Sequence, residues 1–96
     1  MKKAVVVMDP SDNVATALKE LKKGETIPIE VGAKTINITP LEDIQFGHKI
    51  ALGNIEPSEH VRKYGEVIGA ATQKIKQGEH VHVHNVEGLR GRGDKK

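Results

Sequence analysis

The sequence predicts a small, mainly β domain of short strands and hairpins with one helix in its N-terminal region. Three observations carry that expectation. A continuous β-branched run, Ala4-Val-Val-Val-Met8, lies near the start; alternating polar and apolar residues follow Gly24; and a turn-then-strand pattern recurs four times. The 96 residues, 36% hydrophobic and 29% charged, suit one domain and leave no room for two. With Phe46 and Tyr64 as the only aromatics, the core has to be aliphatic.

Taken in order, Ala4–Met8 reads as a short buried strand stopped by Pro10. Ser11 or Asp12 then supplies an N-cap. Val14, Leu18 and Leu21 fall at i, i+4 and i+7 with Ala17 between them, and Gly24 stands where a left-handed C-terminal residue is wanted, so a helix is expected over 13–24. Thr26–Val31 and Lys34–Thr39 alternate around Gly32-Ala33, a glycine-first loop suited to a type II′ hairpin turn, and Pro28 confines its strand to an edge or a bulge.

Leu21-Lys-Lys-Gly24-Glu-Thr-Ile27, Ile44-Gln-Phe-Gly47-His-Lys-Ile50, Ile55-Glu-Pro-Ser58-Glu-His-Val61 and Ile75-Lys-Gln-Gly78-Glu-His-Val81 share one form: aliphatic, two residues, Gly or Ser, two residues, aliphatic. Each reads as a tight turn feeding a strand. The unequal spacings of 23, 11 and 20 residues argue against a solenoid and for short strands folded back on one another, although the same grammar recurs in unrelated small β domains. Residues 87–96 carry three glycines and no apolar periodicity, so the expected organisation is a single domain over 1–88 and a flexible tail over 89–96.

Composition excludes several functions. Without cysteine there is no disulfide framework, thiolate metal site or cysteine nucleophile. A net charge of +2 with two aromatics is too little for a nucleic-acid partner. The longest apolar run is five residues, well short of the roughly 20 that cross a bilayer and the roughly 7–15 of an export signal, so no membrane partner and a cytoplasmic location are expected. Ser11 and Ser58, the only serines, read as a cap and a turn rather than nucleophiles.

Chemistry-bearing residues concentrate late in the chain. His80, His82 and His84 alternate with Val81 and Val83, which on a strand puts the imidazoles on one face at spacings of about 6.5–7 Å. Two such rings can converge on Zn, Fe, Mn or Ni with a third ligand from elsewhere, for which His48 is the in-chain candidate. The same spacing equally describes a solvated face over a valine core. Lys49 and Lys63 suit a carboxylate or phosphate, or plain solvation. Tyr64 suits hydrogen-bond donation or proton transfer, or packing of its ring; Asn85 suits orienting an imidazole, or ending the strand.

Asp12-Asn-Val-Ala15, Gly47-His-Lys-Ile-Ala51, Lys63-Tyr-Gly-Glu-Val-Ile-Gly-Ala-Ala-Thr72, Ile75 to Gly78, Val81-His-Val-His-Asn85 and Arg90-Gly-Arg-Gly-Asp94, in that order, resemble the small SAF domain of the altronate and galactarate dehydratase family over about residues 9–94. The resemblance implies a β-clip fold and the small subunit of a sugar-acid dehydratase, inactive alone, that forms its active site with a separate large catalytic subunit. The implied reaction is a lyase step, loss of water from a sugar acid such as D-altronate, and a related branch removes sulfite from sulfolactate. The implied cofactor is a divalent metal, Fe(II) or Mn(II), held here or mainly by the large subunit. On the matching motif positions the resemblance implies His48 and Tyr64 as catalytic, Lys49, Lys63 and Asn85 as substrate-binding, and His82 and His84 as metal-binding; His60 and His80 lie at less constrained positions. The alternative is a stand-alone SAF module that binds a sugar acid or metal without catalysis.

Overall fold

The computed structural model describes residues 3–88. Among them are nine short strands and no helix: β1 (Val5–Val6), β2 (Val14–Ala17), β3 (Ile27–Val31), β4 (Lys34–Ile38), β5 (Lys49–Ala51), β6 (His60–Lys63), β7 (Glu66–Ala71), β8 (His80–Val81) and β9 (Val86–Glu87). They form three antiparallel sheets, ordered β1-β2-β5-β8, β3-β4 and β6-β7-β9. The expected mainly β architecture is therefore present. No described helix is long and apolar enough to cross a membrane. The tail expected over 89–96 lies outside the described residues.

The helix expected over 13–24 is not formed. Val14–Ala17 is instead a strand between β1 and β5. Its apolar residues are buried on both faces: Val14 enters one core, Ala15 and Ala17 the other, a period of two that no helix provides. Leu18, which the helical reading placed on the buried face, is 43% exposed. The β-branched Val14 and Thr16 favour the extended form, and pairing on both edges outweighs the helical spacing. Gly24 does adopt a left-handed φ of +85°, but in a turn.

That turn is the recurring unit of the fold. All four copies of the repeat close it, with the residue after the Gly or Ser donating its backbone N–H to a carbonyl three residues earlier at 2.9–3.1 Å. The Gly or Ser sits at φ +85° (Gly24), +87° (Gly47), +72° (Ser58) and +88° (Gly78), as the third residue of a type II turn requires. The copies hook together in reciprocal pairs. Leu21 and Ile44 exchange both backbone hydrogen bonds at 2.8 and 2.9 Å, and Ile55 and Ile75 do so at 2.8 Å. Gly24 N–H donates to Pro40 O and Gly47 N–H to Ala17 O; Ser58 and Gly78 repeat this on Ala71 and Ala51.

Each pair of turns centres its own aliphatic core. Leu21, Ile44 and Ile50 pack with Val5, Ile29 and Ile38; Ile55 and Ile75 pack with Val14, Val61 and Val81. Burying each such side chain stabilises the fold by about 1.5–3 kcal/mol, and two small cores joined through β2 and β5 replace one large one. The β3–β4 hairpin turns at Gly32-Ala33 as expected, with Gly32 at φ +61°, and Pro28 lies on a strand with a single partner. The β6–β7 hairpin turns at Tyr64-Gly65, both left-handed at φ +58° and +76°, as a type I′ turn requires.

Candidate functional site

His48 occupies the turn position that holds Glu in the other three copies, Glu25, Glu59 and Glu79. Glu59 and Glu79 accept a hydrogen bond from the N–H three residues earlier in their own turns, at 2.7 and 2.8 Å. The second copy gives up that cap, and the His48 ring lies across the sheet from β5 to β8. There its Nδ1 is 2.8 Å from His80 Nε2, a contact in which one neutral ring donates and the other accepts. His82 stacks on His48 with ring centres 3.9 Å apart and planes within 12°.

Pairing of Lys49 with Val81 and Ile50 with His80 sets this convergence, since it brings the turn before β5 against the strand that carries His80. The expected three-histidine strand is shorter than its spacing suggests. Strand β8 ends at Val81, and the chain turns back over 82–85. Asn85, wholly buried, enforces this turn: its Oδ1 accepts the His82 N–H at 3.0 Å and its Nδ2 donates to His80 O at 2.8 Å. Val83, expected on the core face with Val81, is consequently 81% exposed. His84 is also exposed, its ring tilted 36° and 5.0 Å from that of His80.

His48, His80 and His82 are each half-buried, and each can offer one nitrogen within 4.8 Å of the others. His82 Nδ1 is buried without a hydrogen-bond partner. Such an unsatisfied group costs about 1–3 kcal/mol, which a bound cation would offset. Burial pushes the His80 imidazole below its ordinary pKa, and His84, His48 and His82 push in the same direction against the opposing charge of Glu42. Burial also lowers His82, followed by His48, Lys49 and His84. These rings are held in the neutral form that metal ligation and proton abstraction both need.

Lys49 stands beside the imidazoles, its pKa lowered by burial and then by the charge of Lys63. Neither lysine forms an ion pair with a carboxylate among the described residues. Lys49 and His82 line a hollow of about 220 Å³ whose other walls are Ile68, Val83, Val86 and Gly88. A larger hollow of about 620 Å³ lies between β1 and the β3–β4 hairpin, but no histidine lines it.

The remaining expected residues are more scattered. Tyr64 sits exposed at the tip of the β6–β7 hairpin, with Lys63 Nζ 4.8 Å above its ring. Lys63 in turn acts on Lys49 through its charge, and Lys49 on His82. Asp12, expected as a helix cap, is buried beneath that tip; its carboxylate accepts the N–H groups of Tyr64 and Gly65 at 2.9 and 2.8 Å. His60 is exposed on β6, away from the cluster. His80, at a position the motif left less constrained, joins the cluster through His48, and its H-x-H spacing to His82 was visible.

Residues 3–89 match the family described as altronate/galactarate dehydratase SAF domain. The chain is 41% identical over 85 residues to an altronate dehydratase of Bacillus subtilis and 43% identical over 74 residues to one of Escherichia coli, covering 88% and 77% of this chain. It spans only 16% and 14% of those two proteins. Against a (2R)-sulfolactate sulfo-lyase subunit alpha of Chromohalobacter salexigens it is 36% identical over 85 residues, 85% of this chain and 90% of that subunit. The match along nearly the whole described chain, together with its mainly β structure, makes this protein a member of the altronate/galactarate dehydratase SAF domain family.

Proposed function

We propose that this chain is the small SAF subunit of a sugar-acid dehydratase, folded as a β-clip and working in the cytoplasm with a larger catalytic subunit. The observation that carries this reading is the cluster of His48, His80 and His82 beside a hollow that His82 shares with Lys49, a lysine in no carboxylate ion pair among the described residues. Its 36% identity across 90% of a relative named as a subunit alpha supports a partner subunit.

Dehydration of a sugar acid breaks the C–H bond next to the carboxylate and the neighbouring C–O bond, releases water, and leaves an enol that becomes a 2-keto-3-deoxy acid. The difficult step puts negative charge on the carboxylate side of the molecule. Lys49 and Lys63 hold that carboxylate, which relieves the repulsion between them. His48, aimed across the site with Nδ1 turned to His80, keeps Nε2 for hydrogen bonding to the reacting atoms, while Tyr64 at the hairpin tip donates to a substrate hydroxyl. Asn85 acts on the acid indirectly, by fixing the backbone on which His80 and His82 stand. The donor set fits a divalent ion, Fe(II) or Mn(II), which would supply Lewis-acid polarisation of the substrate oxygens, with His82 and the neighbouring His48 and His80 as its protein side and the exposed His84 beyond them.

A chimera tests the reading even while the partner subunit is unidentified: this chain replaces the matching segment of the Bacillus subtilis altronate dehydratase. Retained loss of water from D-altronate is the expected result. A folded, assembled chimera with no turnover contradicts it.

A further inference from the structure

We infer that His48, His80 and His82 are the three protein ligands of one divalent transition-metal ion, bound by this chain with no other polypeptide present. Three facts converge on this. The available nitrogens lie within 4.8 Å of one another. The closest pair, His48 Nδ1 and His80 Nε2, is 2.8 Å apart, near the roughly 3 Å edge that two ligands at about 2.1 Å from one metal define. His82 Nδ1 is buried with nothing to accept from.

Coordination needs no extra acid or base. In the metal-free chain one of the two facing nitrogens of His48 and His80 carries the proton of their hydrogen bond. On binding, that ring moves its proton to its other nitrogen, and both facing nitrogens present lone pairs; each ring stays neutral. Imidazole donors favour Zn, Co, Ni and Fe over the oxygen-seeking Mg and Ca. His80 is essential to this set, whereas His84 is solvent-exposed and stands outside it. The inference depends on the ring geometry and not on the dehydratase reading.

The test uses the full chain without a histidine tag, titrated with Co(II) and with Zn(II) at pH 7.5. Binding is followed by calorimetry, by Co(II) absorption and by imidazole nitrogen NMR. The expected result is one ion per chain, with the His48, His80 and His82 resonances changing and His60 unmoved. Affinity should fall about tenfold or more in His80→Gln and in His82→Gln, and Mg(II) should not compete. Absence of saturable binding overturns the inference, as does binding that survives His80→Gln but is lost in His84→Gln or His60→Gln. The resonance changes in the unsubstituted chain decide the matter even if a variant fails to fold. Because dehydration is not the readout, failure here leaves the proposed reaction standing, and failure of the chimera leaves the metal site standing.

Discussion

His48 Nδ1 lies 2.8 Å from His80 Nε2 although 32 residues separate them. Backbone pairing creates the contact: Ile50 faces His80 and Lys49 faces Val81, so the turn before β5 overhangs β8. A third ring, His82, stacks on the first. The consequence of this crowding is electrostatic. Protonating His80 or His82 is opposed by burial and by the neighbouring rings.

That opposition gives the metal-free chain a pH-dependent stability of definite sign. His80 and His82 are lowered from an ordinary value of 6.5. Once unfolded, both rings protonate near pH 6.5, whereas in the fold they do so only at lower pH, so below 6.5 the unfolded state binds more protons and stability falls with pH. The fall ends when the folded rings themselves protonate; above 6.5 these groups contribute no slope. With a chelator present, the melting temperature should drop by several degrees from pH 7.5 to pH 5. The double variant His80→Gln, His82→Gln should remove most of the difference.

The four turns have the same backbone but different surroundings. A Cβ at Gly78 would collide with the carbonyl oxygen of Thr39, whereas one at Gly24 would meet nothing within 4 Å. Gly24→Ala should therefore cost only the left-handed penalty of about 1–2 kcal/mol, and Gly78→Ala about 3–4 kcal/mol with overpacking added. Ser58, left-handed without being glycine, offers the opposite change: Ser58→Gly should stabilise by about 0.5–1 kcal/mol. Chemical denaturation of the three variants measures all of these.

Asp12 ties the start of β2 to the tip that presents Lys63 and Tyr64. It receives the two turn N–H groups and a weaker one from Asp9 at 3.3 Å. Asp12→Ala should lose about 2–4 kcal/mol, because charge-assisted bonds are worth about 1.5–3 kcal/mol and the amides stay partly buried. Amide exchange at Tyr64 and Gly65 should accelerate far more than at Ile44 or Ile75.

Much of this was legible in the residues. The repeat marked the turns because glycine at a left-handed position and a flanking aliphatic are local requirements, and the Gly32-Ala33 hairpin is equally local. The helix over 13–24 failed because i, i+4, i+7 spacing at Val14, Leu18 and Leu21 does not reveal that Val14 and Leu21 belong to different cores. The histidine strand failed for a single residue: Asn85 turns the chain through its side-chain amide, which spacing does not show. His48 was visible as a candidate, and the repeat adds a reason, since it stands where two of the other three copies place a capping Glu. His80 was passed over because its importance comes from the cross-strand partner and not from its own motif.

Turnover of the altronate dehydratase chimera bearing His48→Asn, measured beside its unsubstituted parent, probes the catalytic role of this face most directly. If this face takes part in the chemistry, kcat should fall by about 100-fold or more, the usual scale for a lost hydrogen-bonding group at the reacting atoms, while folding and assembly stay intact. An undiminished kcat would mean that the His48 imidazole takes no part in the chemistry.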